Sequence, residues 1–215
     1  MALPLAALGA AACAPSGTGN RAVPVLVAIG ASDAVGVGAA NPDQDNWVSR
    51  LAAHLPDSAR VVNLGISGAT AEQAAQQELP VALDTAPTFV AVWLGVNDVQ
   101  QGVPLPQFAD TLRTILSAFS AQAGARVFVG NLPELETLPA FQGSDAAALR
   151  RTTVEWNASI ATAAQEAGAI LVDIHAAWAA AGDRDALISR DGLHPSSAGY
   201  RRIADLFWQA MQRAG

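Results

Sequence analysis

Lysine is missing altogether: all twelve basic residues of this 215-residue chain are arginine. A P-loop phosphate site and a lysine Schiff base are therefore both excluded. Cysteine is nearly missing, with Cys13 alone, so neither a disulfide framework nor a thiolate metal cluster is expected. Charge is sparse, at 14% of residues, and its balance is acidic, with a net charge of −7. With no basic patch, nucleic acid is not expected as a partner. His, Asp and Glu do not fall at metal-ligand spacing, so no metal is expected either. What is present is 51% hydrophobic. That and the length predict one domain with a substantial core, over residues 21–215.

Residues 1–20, "MALPLAALGAAACAPSGTGN", stand apart from that domain. The apolar run up to Cys13 is too short to span a bilayer. It has the length and small-residue ending of a signal-peptide core, without a basic segment in front. "AAAC" is similar to the lipobox of bacterial lipoproteins, except that Ala10 stands where that pattern has leucine. The expectation is a truncated signal or lipoprotein-like segment and export to the periplasm, envelope or medium. Cys13 is the candidate lipidation site and the one expected route to a membrane.

From residue 23 the pattern alternates. "VPVLVAIG" (23–30), "ARVVNLG" (59–65), "TFVAVWLG" (88–95), "ARVFVGN" (125–131) and "AILVDI" (169–174) are apolar runs without polar alternation. Such runs predict strands buried on both faces. Helix-like segments lie between and after them, at 46–55, 70–78, 106–123, 145–167 and 196–212. Strand–helix alternation implies right-handed crossovers and a parallel, three-layer α/β/α domain. The longest irregular stretch is "NLPELETLPAFQGSD" (131–145).

Ligands of open parallel sheets gather at the carboxyl ends of the strands. Ser32 follows the first predicted strand, Gly65 ends the second, and Asn97 follows the third. The terminal loop "RDGLHPSSAGY" (190–200) places Asp191 three residues before His194. A serine hydroxyl needs a base to remove its proton, and His194 is the natural one. Asp191 can hold the imidazole in the required tautomer. Attack on an ester carbonyl creates an oxyanion, for which the N–H groups of Ser32 and Gly65 and the side-chain amide of Asn97 are the candidate donors. The competing base is His175, with Asp173 two residues before it. His54, after an apolar helix, reads as a surface histidine. Asp33 and Asp98 read as structural. An α/β-hydrolase elbow requires glycine two before and two after the serine; Gly30 fits that pattern and Ala34 does not.

Four blocks together, "GASDAVGVG", "NLGISGAT", "GVNDV" and "DGLHPSSAGY", resemble the SGNH, or GDSL, hydrolases. The resemblance covers about residues 23–210, and Ala31 departs from the family's Gly-Asp-Ser. It implies a flavodoxin-like five-stranded sheet in the order 2-1-3-4-5. It also implies ester or thioester hydrolysis through an acyl-enzyme, with no metal or other cofactor. The expected partner is a small-molecule acyl ester or thioester. Val99, Val103, Leu135, Leu138 and Phe141 are the candidate substrate contacts, and Leu105 and Leu132 accompany them. A sugar acetylesterase of the same family, or a non-catalytic envelope binder on the same scaffold, stands as the alternative.

Overall fold

The computed structural model describes residues 23–120, 122 and 124–214. Cys13 and the expected leader therefore lie outside the described residues. Five strands form one parallel sheet: β1 (Val25–Gly30), β2 (Arg60–Asn63), β3 (Phe89–Trp93), β4 (Arg126–Gly130) and β5 (Ile170–Val172). Their order is β2-β1-β3-β4-β5, as the family resemblance implies, and every pair is parallel. Strand order reverses between β1 and β3, which opens a crevice at their carboxyl ends.

Side chains alternate across the strands, and both faces are covered. Val27, Ile29, Val90, Val92 and Val129 point to one core, with Phe108, Leu112, Ile115, Trp156 and Ile160. Leu26, Ala28, Ala91 and Phe128 point to the other, with Trp47, Leu51, Tyr200, Ile203 and Phe207. Two-sided burial is why these strands read as unbroken apolar runs. β2 is the exception to the expected two-sided burial. It is one of the two edge strands, and Val61 is 38% exposed.

The helices are α1 (Ser32–Val35), α2 (Pro42–Asp45), α3 (Trp47–Ala52), α4 (Ala71–Gln77), α5 (Leu79–Asp84), α6 (Val96–Gln100), α7 (Leu105–Ser117), α8 (Ala146–Ala167), α9 (Ile174–Ala179) and α10 (Ser197–Arg213). The predicted segments correspond to α3, α4, α7, α8 and α10. Each starts at a sequence-coded cap or punctuation. Asn46 Oδ1, Thr70 Oγ1, Asp145 Oδ1 and Ser196 Oγ each accept an N–H of the first turn, and Pro104 precedes α7. The helices α1, α2, α5, α6 and α9 have four to six residues, too few turns to show a stripe; α3 is as short, but the apolar pattern of 46–55 runs on past its end. The expected irregular stretch 131–145 carries two 3₁₀ turns, Leu135–Thr137 and Pro139–Phe141.

Candidate active site

β1 runs straight into α1, so Ser32 sits on a tight strand-to-helix turn at the sheet's carboxyl edge. His194 arrives from the far end of the chain, on the loop that precedes α10. That loop is narrow and self-braced. The Ser189 N–H donates to the His194 carbonyl at 2.8 Å, and the Ser196 N–H to the Leu187 carbonyl at 2.8 Å. The Asp191 carboxylate folds back on its own loop, Oδ1 accepting from the N–H groups of Leu193 (2.8 Å) and His194 (2.9 Å). This is an Asx-type turn, which fixes the loop before any long-range contact forms.

The three side chains meet. His194 Nε2 is 2.8 Å from Ser32 Oγ, and His194 Nδ1 is 2.7 Å from Asp191 Oδ2. An ionised carboxylate only accepts, so Nδ1 carries the proton and Nε2 faces the hydroxyl as an acceptor. Partial burial pushes the Asp191 carboxyl up, but the Leu193 and His194 N–H groups, the imidazole and the Ser189 hydroxyl outweigh it. Together they hold it well below the usual carboxylate range, so it stays ionised at neutral pH.

Asn97 lies in the first turn of α6, and its Nδ2 donates one hydrogen to the Ala69 carbonyl at 2.9 Å. The other hydrogen of that amide remains for a ligand. Gly65 is placed differently from expectation. Its N–H donates to Asn63 Oδ1 at 3.1 Å, and Asn63 Nδ2 in turn holds the Ala34 carbonyl at 2.7 Å. That N–H is therefore not available as an oxyanion donor. The glycine is required for packing instead: a Cβ there would lie 2.5 Å from Ala34 Cβ and 3.0 Å from the Ala31 carbonyl oxygen. Three residues on, Gly68 has φ +81°. Its carbonyl is held by Gln101 Nε2 at 3.1 Å, while its N–H has no acceptor among the described residues. The only sequence signal for Gly68 is a second glycine in "NLGISGAT".

A cleft of about 620 Å³, open to solvent, surrounds the Ser32–His194 contact. Its apolar walls are Trp93, Leu94, Val96, Pro133, Leu138, Trp178, Ile188 and Leu193, and Asn97 lies at its edge. Of the expected substrate contacts only Leu138 is on this wall. Leu135 is fully buried, and Val99, Val103 and Phe141 pack on the same core. All four are drawn into this core cluster by their own apolar packing, Leu135 and Phe141 from the 131–145 stretch and Val99 and Val103 from α6 and the turn after it. Trp93, Trp178 and Ile188 were missed, since in sequence a lone tryptophan on a strand or helix reads as core.

The competing pair lies off the cleft. Asp173 caps α9 through the Ala176 N–H (3.0 Å) and accepts from Asn131 Nδ2 (2.9 Å). His175 donates its backbone N–H to Asn131 Oδ1 at 2.8 Å and is not on the cleft wall. His54 sits just past α3, 3.2 Å from Asp205 Oδ1 and stacked on Trp208. Among the described residues, no group of three or more His, Cys, Asp and Glu side chains is arranged to hold a metal.

The model of the GDSL-like lipase/acylhydrolase family matches residues 28–202. The chain is similar to an acetylxylan esterase of Geobacillus stearothermophilus, 28% identical over 161 residues that span 69% of this chain and 70% of that one. Among solved structures it is similar to TesA, with a TM-score of 0.70 and 25% identity, covering 88% of this chain and 98% of that one. A G-D-S-L family member from Veillonella parvula superposes with a TM-score of 0.72 at 19% identity, over 89% of this chain and all of the other.

Proposed function

The chain belongs to the GDSL-like lipase/acylhydrolase family, a family of ester hydrolases, and from that premise we propose that it cleaves carboxylic esters with Ser32 as the nucleophile. One observation carries the reading: the unbroken Ser32–His194–Asp191 contact, at 2.8 and 2.7 Å. Ser32 Oγ attacks the acyl carbon as its proton passes to His194 Nε2. The imidazolium so formed is stabilised by Asp191. The carbonyl oxygen becomes an oxyanion, received by the N–H of Ser32, the free hydrogen of Asn97 Nδ2 and the N–H of Gly68. Collapse breaks the C–O bond, and His194 returns its proton to the departing alkoxide. Water then enters, gives a proton to His194 and attacks the acyl-enzyme. The acid leaves and Ser32 recovers its hydrogen.

A fluorophosphonate probe tests this directly. It should label Ser32 in the native protein and leave Ser32→Ala unlabelled; labelling that survives in the alanine variant refutes the assignment. The apolar walls of the cleft favour an acyl group over a charged one. Similarity to an acetylxylan esterase supports a second reading, in which the acyl group is acetyl and the leaving group a sugar hydroxyl. p-Nitrophenyl esters of graded chain length, run beside acetylated xylan, separate the two. A maximum at medium chains with inert xylan supports the first, and acetate release from xylan the second.

A further inference from the structure

The turn that presents Ser32 is held from behind in an unusual way. At the end of β1 the Gly30 carbonyl still accepts from the Ile66 N–H, on the side of β2. The Gly30 N–H leaves the strand on that same side, but β2 has already ended at Asn63. A buried N–H without an acceptor is costly, about 1–3 kcal/mol. The acceptor here is a side chain far away in sequence: Glu78 Oε2, at 2.9 Å. Glu78 lies where α4 meets α5 and is 1% exposed. The next N–H, that of Ala31, is taken by Asp33 Oδ1 at 3.2 Å, while Asp33 Oδ2 accepts from Trp47 Nε1 at 2.7 Å. Two successive amides ahead of the nucleophile are thus held by carboxyl groups. The third, that of Ser32 itself, has no acceptor among the described residues.

We infer that Glu78 is a positioning residue for the nucleophile: by holding the Gly30 N–H, in series with Asp33 on the Ala31 N–H, it fixes the turn that aims both Ser32 Oγ and the free Ser32 N–H. The inference rests on Ser32 being the nucleophile. Its action is through the backbone, since Glu78 is not on the cleft wall. The second oxygen of Glu78, Oε1, is buried with no partner among the described residues. Burial, with Asp33 nearby, pushes Glu78 up to about 8.

The variants Glu78→Leu and Glu78→Gln test it. Leucine fills the space and removes the acceptor; glutamine keeps an acceptor without a charge. In Glu78→Leu, kcat and the rate of fluorophosphonate labelling should fall about 10²-fold, the scale on which small misplacements of a reacting group act, with KM little changed. Glu78→Gln should restore most of that loss. Hydrogen exchange should quicken in residues 28–34 of Glu78→Leu and stay unchanged in β4 and α8. A leucine variant with native kcat and native exchange overturns the inference, and so does a glutamine variant as impaired as the leucine one. Should Glu78→Leu not fold, the wild type still decides: a Gly30 amide that exchanges like an exposed one means there is no clamp. Exchange does not depend on the chemistry, so absence of labelling at wild-type Ser32 would sink the esterase reading while exchange still judges the clamp.

Discussion

Individual atoms decide how well this site works. In the proposed mechanism the second hydrogen of Asn97 Nδ2 serves the oxyanion, whose charge develops only in the transition state. Asn97→Ala should therefore lower kcat about 10²–10³-fold with little change in KM; an unchanged kcat in steady-state kinetics would remove Asn97 from the oxyanion site. Asp191→Asn keeps the shape of the loop but swaps a pure acceptor for an amide that can present its hydrogens to Nδ1. The expected fall in kcat is about 10³–10⁴-fold, through the wrong imidazole tautomer. The two glycines of the second block separate by different means. Alanine at Gly65 meets Ala34 Cβ at 2.5 Å and the Ala31 carbonyl at 3.0 Å, an overpacking worth about 1–3 kcal/mol. Thermal unfolding should report that loss. At Gly68 a Cβ would meet nothing within 4 Å, so Gly68→Ala costs only the left-handed backbone, about 1–2 kcal/mol. Its activity should fall further than so small a change in stability explains.

Secondary-structure elements carry these atoms, and their ends matter more than their middles. α6 opens at the carboxyl end of β3 and sets Asn97 facing the cleft with Asp98 facing inward. Asp98 is 1% exposed, and both its oxygens face the Ala71 N–H, at 3.0 and 3.2 Å. Burial pushes its carboxyl up, and the Ala71 N–H works against that. One side chain thus pins the start of α4, and through it the loop that holds Gly68 and Ala69. Asp98→Ala leaves the Ala71 N–H buried without an acceptor and should cost about 1–3 kcal/mol in denaturant unfolding. Activity should also fall, because Asn97 takes its orientation from the Ala69 carbonyl. Were stability to drop with kcat untouched, this coupling between α6 and α4 would be wrong. On the other side of the sheet, α3 and α10 meet through the stacked rings of Trp47 and Phe207, with centroids 5.0 Å apart. Trp47 also donates to Asp33, so the packing of α3 is tied to the nucleophile turn.

Across the whole molecule the buried carboxyls give stability a pH dependence of definite sign. Asp33 is half-buried as a residue, but its carboxyl turns inward onto Trp47. Burial outweighs the Trp47 and Ala31 hydrogen bonds and the nearby His194, and pushes it up to about 6. Glu78, beside it, is pushed up to about 8. In the unfolded chain both lose their protons near 4, while the fold still holds them. The stabilisation that these two groups contribute is therefore complete below the unfolded values and is lost as pH rises through each folded value. Asp191 acts oppositely, but its contribution is complete well below neutrality. Between pH 6 and 8 Glu78 dominates, and stability should decline by up to about 1.4 kcal/mol per pH unit. Urea unfolding at intervals across that range should show the slope in the wild type and a flatter one in Glu78→Gln. Much of the architecture was legible beforehand. The inner strands showed because burial on both faces writes itself as unbroken apolar runs, and α3, α4, α7, α8 and α10 because apolar pattern and cap or proline punctuation agree. What the residues alone determined is the parallel α/β class and the set of polar groups gathered at one sheet edge, since strand direction and connection handedness follow from local pattern. Only the tertiary structure decided which of two glycines keeps a free N–H, which apolar side chains face the cleft rather than the core, and that Glu78, in a run resembling a solvated helix face, turns inward to hold Gly30. Each of these depends on where a group points relative to a distant neighbour, and that direction is set by packing rather than by the residue's own place in the chain.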